Sequence, residues 1–119
     1  MVTKEAIDAA LSAHAQWKTR LENAIATSQS ESRPDIVKKD NVCQFGQWLY
    51  ALSAEDAKSE DYKKVKELHA DFHATAGAIL ELALSGKKEE AKREMEVGGS
   101  YRKATGKLVL ALESWKSKL

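Results

Sequence analysis

His69 and His73 stand four residues apart in a segment that reads as helix, so both imidazoles lie on one face, one turn apart. Two nitrogen donors delivered by one rigid element are the local pattern that metal binding on a helix requires. The 119-residue chain contains one further histidine, His14, and one cysteine, Cys43. Three imidazoles and one thiolate complete a tetrahedral zinc set, with no such residue left over. That set leaves zinc no open position for water or substrate, which argues against an enzyme. Each residue also has a plainer explanation. A histidine on an apolar stripe is more often a hydrogen-bonded core residue, and a lone cysteine is more often inert packing. Against this, all three histidines fall on apolar stripes, where an unpaired imidazole is costly to bury. Cys43 stands near the start of a short helix, where free N–H groups and the helix dipole favour a thiolate. A metal-held thiolate is still a nucleophile and is the group an oxidant meets first.

The elements that must bring these residues together are helical almost throughout. Ile7, Leu11, His14, Trp17, Leu21 and Ile25 recur at helical spacing and predict a first helix from about Thr3 to Thr27, with Thr3 as its cap. Ser28 to Asp40, polar and holding the only proline, Pro34, reads as a long loop. A short helix follows near Cys43, with Asp40 or Asn41 placed to cap it and Phe45, Trp48, Leu49 and Leu52 as its apolar face. After a connection at Ser53–Lys58, a third helix is predicted over about Ser59 to Leu84, its stripe including Tyr62, Val65, His69, Phe72 and His73. Ser85-Gly86 ends it in a tight turn. A fourth helix is expected from Lys87 to the end. Gly98-Gly99 falls within it, where each glycine costs about 1 kcal/mol relative to alanine. Close helix packing is the plainer reason for the pair, a bend or hinge the sharper one. Three long helices and a short one predict an all-α fold, an antiparallel four-helix bundle whose short helix carries the cysteine.

Composition narrows the function classes. Nineteen Lys+Arg against eighteen Asp+Glu leave a net charge of +1, which gives no reason to expect nucleic acid or an anionic membrane surface as partner. The length predicts one domain, residues 1–119. No apolar run approaches the roughly 18 residues of a membrane span, and the start lacks the apolar core of a secretory signal. One cysteine cannot form an internal disulfide. The cytoplasm is therefore the expected location. No Glu-x-x-His pair marks a di-iron bundle, no Cys-x-x-Cys-His marks a haem attachment, and no phosphate loop is present. A phosphotransfer bundle would need an exposed histidine, whereas His14 lies in an apolar stripe.

Three blocks of the chain resemble the chemoreceptor zinc-binding (CZB) domain family. They are His14-Ala-Gln-Trp17-Lys18, Asn41-Val-Cys43-Gln-Phe45-Gly46-Gln-Trp48-Leu49-Tyr50 and His69-Ala-Asp-Phe72-His73. The Cys-x-Phe-Gly-x-Trp block is the most specific, and the resemblance spans nearly the whole chain. It implies a four-helix bundle that holds Zn2+ through His14, Cys43, His69 and His73. It also implies a bacterial sensory or regulatory domain, accompanying a chemoreceptor or a diguanylate cyclase in the same or another chain, or standing alone, and commonly a homodimer. Two roles go with the family: sensing of hypochlorous acid through oxidation of the cysteine, here Cys43, and sensing of zinc availability. A purely structural zinc is the plainer alternative. Trp17, Phe45, Trp48 and Phe72 are expected to wall the site and limit water, or simply to fill the core. Asp40, Asn41 and Asp71 are candidate partners of the ligands, although Asp71 should point off the face that carries His69 and His73.

Overall fold

In the computed structural model, which describes residues 2–119, every regular element is helical. Helix α1 spans Lys4–Thr27. Thr3 caps it by accepting from the Ala6 N–H at 3.1 Å, and Ser28 ends it in the left-handed region at φ 59°. Its buried stripe is Ile7, Ala10, His14, Trp17, Leu21, Ala24 and Ile25, so His14 faces inward as its spacing predicts.

The segment expected to be loop contains a helix. Pro34–Val37 forms α2, with proline at the first helical position, where its missing N–H costs nothing. Val37 is buried, so the turn is held by packing and not by its own propensity. Helix α3 follows at Gln44–Ala51. Its cap is neither Asp40 nor Asn41 but Cys43 itself, whose sulfur accepts from the Gly46 N–H at 3.3 Å. A 3-10 turn at Asp56–Lys58 leads to α4, Glu60–Leu84, capped by Ser59.

The expected fourth helix is broken. Lys88–Met95 forms α5 and Ser100–Ser117 forms α6. Glu96 is extended and Gly98 adopts φ 88°, which only glycine takes without strain. At Gly99 a Cβ would lie 2.4 Å from the Glu94 carbonyl oxygen. The pair is therefore a corner between two helices, which favours the bend over close packing within one continuous helix.

Helix α4 is the centre of the packing. It lies against α6 and α1 along its length and also carries α2, α5 and the end of α3. Phe72, Ile79, Leu80 and Val65 of α4 meet Ile7 and Leu21 of α1 and Leu108 and Leu112 of α6 in one core. Burying a side chain of this size contributes about 1.5–3 kcal/mol. Helix α3 is pinned from two sides. The Tyr62 hydroxyl donates to the Leu49 carbonyl at 3.1 Å, and Trp48 leans on Trp115 of α6 with ring centroids 6.0 Å apart. No helix among the described residues is long and apolar enough to cross a membrane.

Candidate metal centre

The four residues singled out by type come from two different helices and one helix start. His14 lies mid-way along α1, His69 and His73 on successive turns of α4, and Cys43 at the cap of α3. The fold brings all four together: one ligand atom from each lies within 4.8 Å of every other. The His69 Nε2 atom is nearest to the rest, 3.0 Å from His73 Nε2, 3.1 Å from His14 Nε2 and 3.4 Å from the Cys43 sulfur. Cys43 Sγ lies 3.5 Å from His73 Nε2.

Proton inventory shows what such a cluster is built for. The His14 Nδ1–H donates to the Ala10 carbonyl at 2.7 Å, and the His73 Nδ1–H donates to the Val37 carbonyl at 2.9 Å. Carbonyls only accept, so each of these rings carries its proton on Nδ1 and turns a bare Nε2 lone pair inward. His69 Nδ1 is buried with no hydrogen-bond partner among the described residues. Two bare nitrogen lone pairs and a sulfur thus converge on His69 Nε2, which has at most one proton to share among them. A cation relieves this. Zinc bonds of about 2.0–2.3 Å to nitrogen and sulfur place neighbouring ligand atoms roughly 3.3–3.6 Å apart; four of the six pairs lie at 3.0–3.5 Å and the other two within 4.8 Å. The residues present fit the metal.

The histidines are 5%, 0% and 2% exposed for His14, His69 and His73, whereas Cys43 is only half-buried. Burial holds all three imidazoles neutral. It pushes His14 down to about 4, with the Ala10 hydrogen bond opposing and His73 adding, and His69 down to about 2, with His73 and His14 adding. His73 is lowered by burial, opposed by the Val37 hydrogen bond. Burial also raises the Cys43 thiol. The N–H groups of Gly46 and Phe45 act in the direction expected of a helix start but are outweighed. A coordinating cation reverses that balance, because it binds only the thiolate.

A pH prediction follows for metal-free protein. The folded histidines titrate below their unfolded value near 6.5, so their stabilising contribution is complete above about pH 6.5. It is lost as pH falls toward the folded values, because the unfolded chain binds protons that the folded one refuses. His14 and His69 each contribute a slope of about 1.4 kcal/mol per pH unit in that window, roughly 3 kcal/mol per unit together, and His73 adds in the same direction. Urea midpoints at pH 7 and pH 5 measure it, and equal midpoints would contradict the buried neutral cluster.

Aromatic rings enclose the cluster. Phe45 meets His14 and His69 edge-on at 5.8 and 5.1 Å between centroids, Phe72 meets His14 at 5.1 Å and His73 at 5.5 Å, and Trp17 meets His73 at 6.4 Å. Trp48 stands one ring further out, stacked on Phe45 at 5.4 Å. The enclosure is most open at Cys43, which lines two surface clefts, one shared with His14 and the other with His73. One, of about 430 Å3, runs between α1 and α3 past Ala13, Trp17 and Phe45; the other, of about 350 Å3, passes Arg33, Val37 and Val42.

Neither carboxylate considered as a partner hydrogen-bonds one of the four residues, although the Asp40 charge raises both His73 and Cys43. Asp40 accepts from the exposed Tyr50 hydroxyl at 3.0 Å, and Asp71 is exposed, as its position between His69 and His73 implies. The partners are instead the backbone carbonyls of Ala10 and Val37. No residue type marks a carbonyl acceptor in a sequence; the one available signal was Ala10, a turn before His14, where a ring nitrogen can reach back along its own helix.

Comparison with known proteins gives one match. The sequence model of the chemoreceptor zinc-binding domain family matches residues 14–80, more than half of the 119, a span that begins at His14, includes Cys43, His69 and His73, and stops short of α5 and α6. No curated protein and no solved structure matches the chain.

Proposed function

The chain belongs to the chemoreceptor zinc-binding domain family, and from that premise we propose that it is a bacterial sensory domain whose Cys43 reads hypochlorous acid. In this reading His14, Cys43, His69 and His73 hold one Zn2+, and the domain acts in the cytoplasm, as a homodimer, upstream of chemotaxis or cyclic-di-GMP signalling. It is regulatory and not catalytic, since four protein ligands fill the coordination sphere. Helices α1, α4 and α6, with the short α3 as the fourth member, make the antiparallel bundle that carries the site.

The observation that supports this reading is the contrast within the cluster. The three histidines are buried, whereas Cys43 is half-buried and is the one residue of the four that lines both clefts, which also reach His14 and His73 and which a small neutral oxidant can enter. When bound, zinc supplies a positive centre that keeps the sulfur as thiolate. The thiolate attacks chlorine, an S–Cl bond forms as the O–Cl bond breaks, and hydroxide leaves. Hydroxide then displaces chloride from sulfur to give the sulfenic acid. In total, thiolate and hypochlorous acid become sulfenic acid and chloride, with sulfur oxidised by two electrons. The oxidised sulfur donates poorly, so the chain entering α3 comes free of the histidines on α1 and α4. The Tyr62 and Trp115 contacts hold the far part of α3, so its first turn, which carries Cys43, is the part that shifts, and that displacement is the output.

The same contrast favours oxidation over sensing of zinc supply, which needs no exposed sulfur. Zinc-loaded protein treated with stoichiometric hypochlorous acid is expected to release about one zinc per chain, read with a chromogenic chelator, with a change in tryptophan fluorescence from Trp48. Cys43→Ser should show neither response. If it releases zinc as the native chain does, the oxidant acts elsewhere. If the native chain keeps its zinc under oxidation but gives it up readily to chelators, supply sensing replaces this reading.

A further inference from the structure

Helix α4 presents three residues one turn apart, His73, Gly77 and Glu81, and α2 lies along all three. The His73 Nδ1–H donates to the Val37 carbonyl at 2.9 Å. At Gly77 the Lys38 side chain, with the backbone of Pro34 and Lys38 behind it, fills the place of a side chain: a Cβ would stand 2.3 Å from Lys38 Cγ, 3.0 Å from the Pro34 carbonyl oxygen and 3.2 Å from Lys38 N. At the third turn the Lys38 ammonium pairs with the Glu81 carboxylate. A four-residue helix cannot hold itself together in water, so this seat decides where α2 is.

The three histidines differ in what orients them. His14 is oriented by its own helix through Ala10, one turn back. His69 Nδ1 has no partner among the described residues. His73 is oriented by a segment 36 residues away in sequence, and that segment runs on directly into Cys43. We propose that Gly77 is a positioning residue of the metal centre: by leaving room for α2, it delivers the Val37 carbonyl to His73. The carbonyl fixes that ring as the Nδ1–H tautomer, its bare Nε2 turned toward Cys43 and His69. This rests on the reading above that the four residues hold a metal. An invariant ring orientation removes a conformational choice that the site would otherwise make on binding, and loss of such support typically weakens a metal site by about 10–100-fold.

Two measurements on the full chain test it. In metal-free protein carrying 15N-labelled histidine, the His73 nitrogens are expected to report the Nδ1–H tautomer at pH 7.5, and in Gly77→Ala a mixture of the two tautomers. In a Co2+ titration, Gly77→Ala is expected to bind about 10–100-fold more weakly. Adding Lys38→Ala removes the 2.3 Å contact and is expected to recover most of that loss. Gly106→Ala, where a Cβ meets nothing within 4 Å, should match the native chain in both. Native tautomer and native Co2+ affinity in Gly77→Ala overturn the proposal, as does a loss that Lys38→Ala leaves untouched. Should Gly77→Ala fail to fold, Lys38→Glu sets like charges at the exposed rim of the seat, and an unchanged tautomer there overturns it equally. A native chain that binds no Co2+ refutes the metal reading by itself, while the tautomer measurement still decides what α2 does.

Discussion

Replacing His69 with alanine is expected to abolish metal binding, taking zinc content from about one per chain to none. The effect should exceed that at any other ligand because His69 Nε2 is the atom nearest to all three others. Its removal takes away the atom around which the other three gather, whereas loss of Cys43 leaves three converging imidazoles. The consequence for stability is one-sided. At a thousandfold excess of free zinc over Kd, binding stabilises the folded native chain by about 4 kcal/mol, a rise in Tm of roughly 10–20 °C for a chain of this size. The variant should show no such rise. Its metal-free Tm should change far less, since the imidazole it lacks carries a buried nitrogen without a partner and leaves only a modest cavity. Differential scanning calorimetry with and without zinc, paired with metal analysis of protein purified in chelator-free buffer, reads both numbers. A variant that retains one zinc and its zinc-dependent rise in Tm would show that the ligand set is wrong.

Gly46→Ala should be the most damaging single methyl in the chain. A Cβ at that position would stand 1.8 Å from the Asp40 carbonyl oxygen, 2.8 Å from the Asp40 carbonyl carbon and 3.1 Å from Asn41 Cα. All three are main chain, so no rotamer change relieves the contact and the segment before α3 must move away bodily. Cys43 lies between the colliding parts, and the Gly46 N–H is the donor to its sulfur. The substitution therefore displaces the one ligand that is not fixed by a long helix. Overpacking of this kind costs about 3 kcal/mol or more, and the metal-loaded form should lose more than the metal-free form. Urea unfolding in both states gives the two values. The comparison is Gly106→Ala, in open space on an exposed turn of α6, which should gain up to about 1 kcal/mol from helix propensity. If Gly46→Ala unfolds at the native urea concentration, the close seat of α3 on residues 40 and 41 is not real.

What the sequence determined by itself was local. Helical spacing placed His14, Trp17 and Leu21 on one inward stripe and His69 and His73 on another, because a 3.6-residue period leaves a buried face its signature. The cap at Thr3 and the turn at Gly86 were legible for the same reason: each is settled by the backbone within four residues. The Gly98-Gly99 corner was half legible, since the residues announce freedom of φ but not whether the chain uses it.

Tertiary structure alone decided the rest. That His14 and Cys43 meet the α4 pair is a fact about helix packing, which no spacing within one helix encodes. Helix α2 was invisible, because four residues carry no period and its position comes from Gly77, forty residues on. Cys43 capping its own helix, and the Ala10 and Val37 carbonyls that aim the imidazoles, were equally hidden: a backbone acceptor is the same in every residue. So the sequence named the four candidate donors. Their common focus, and the one donor left open to solvent, belong to the long-range packing that α4 organises.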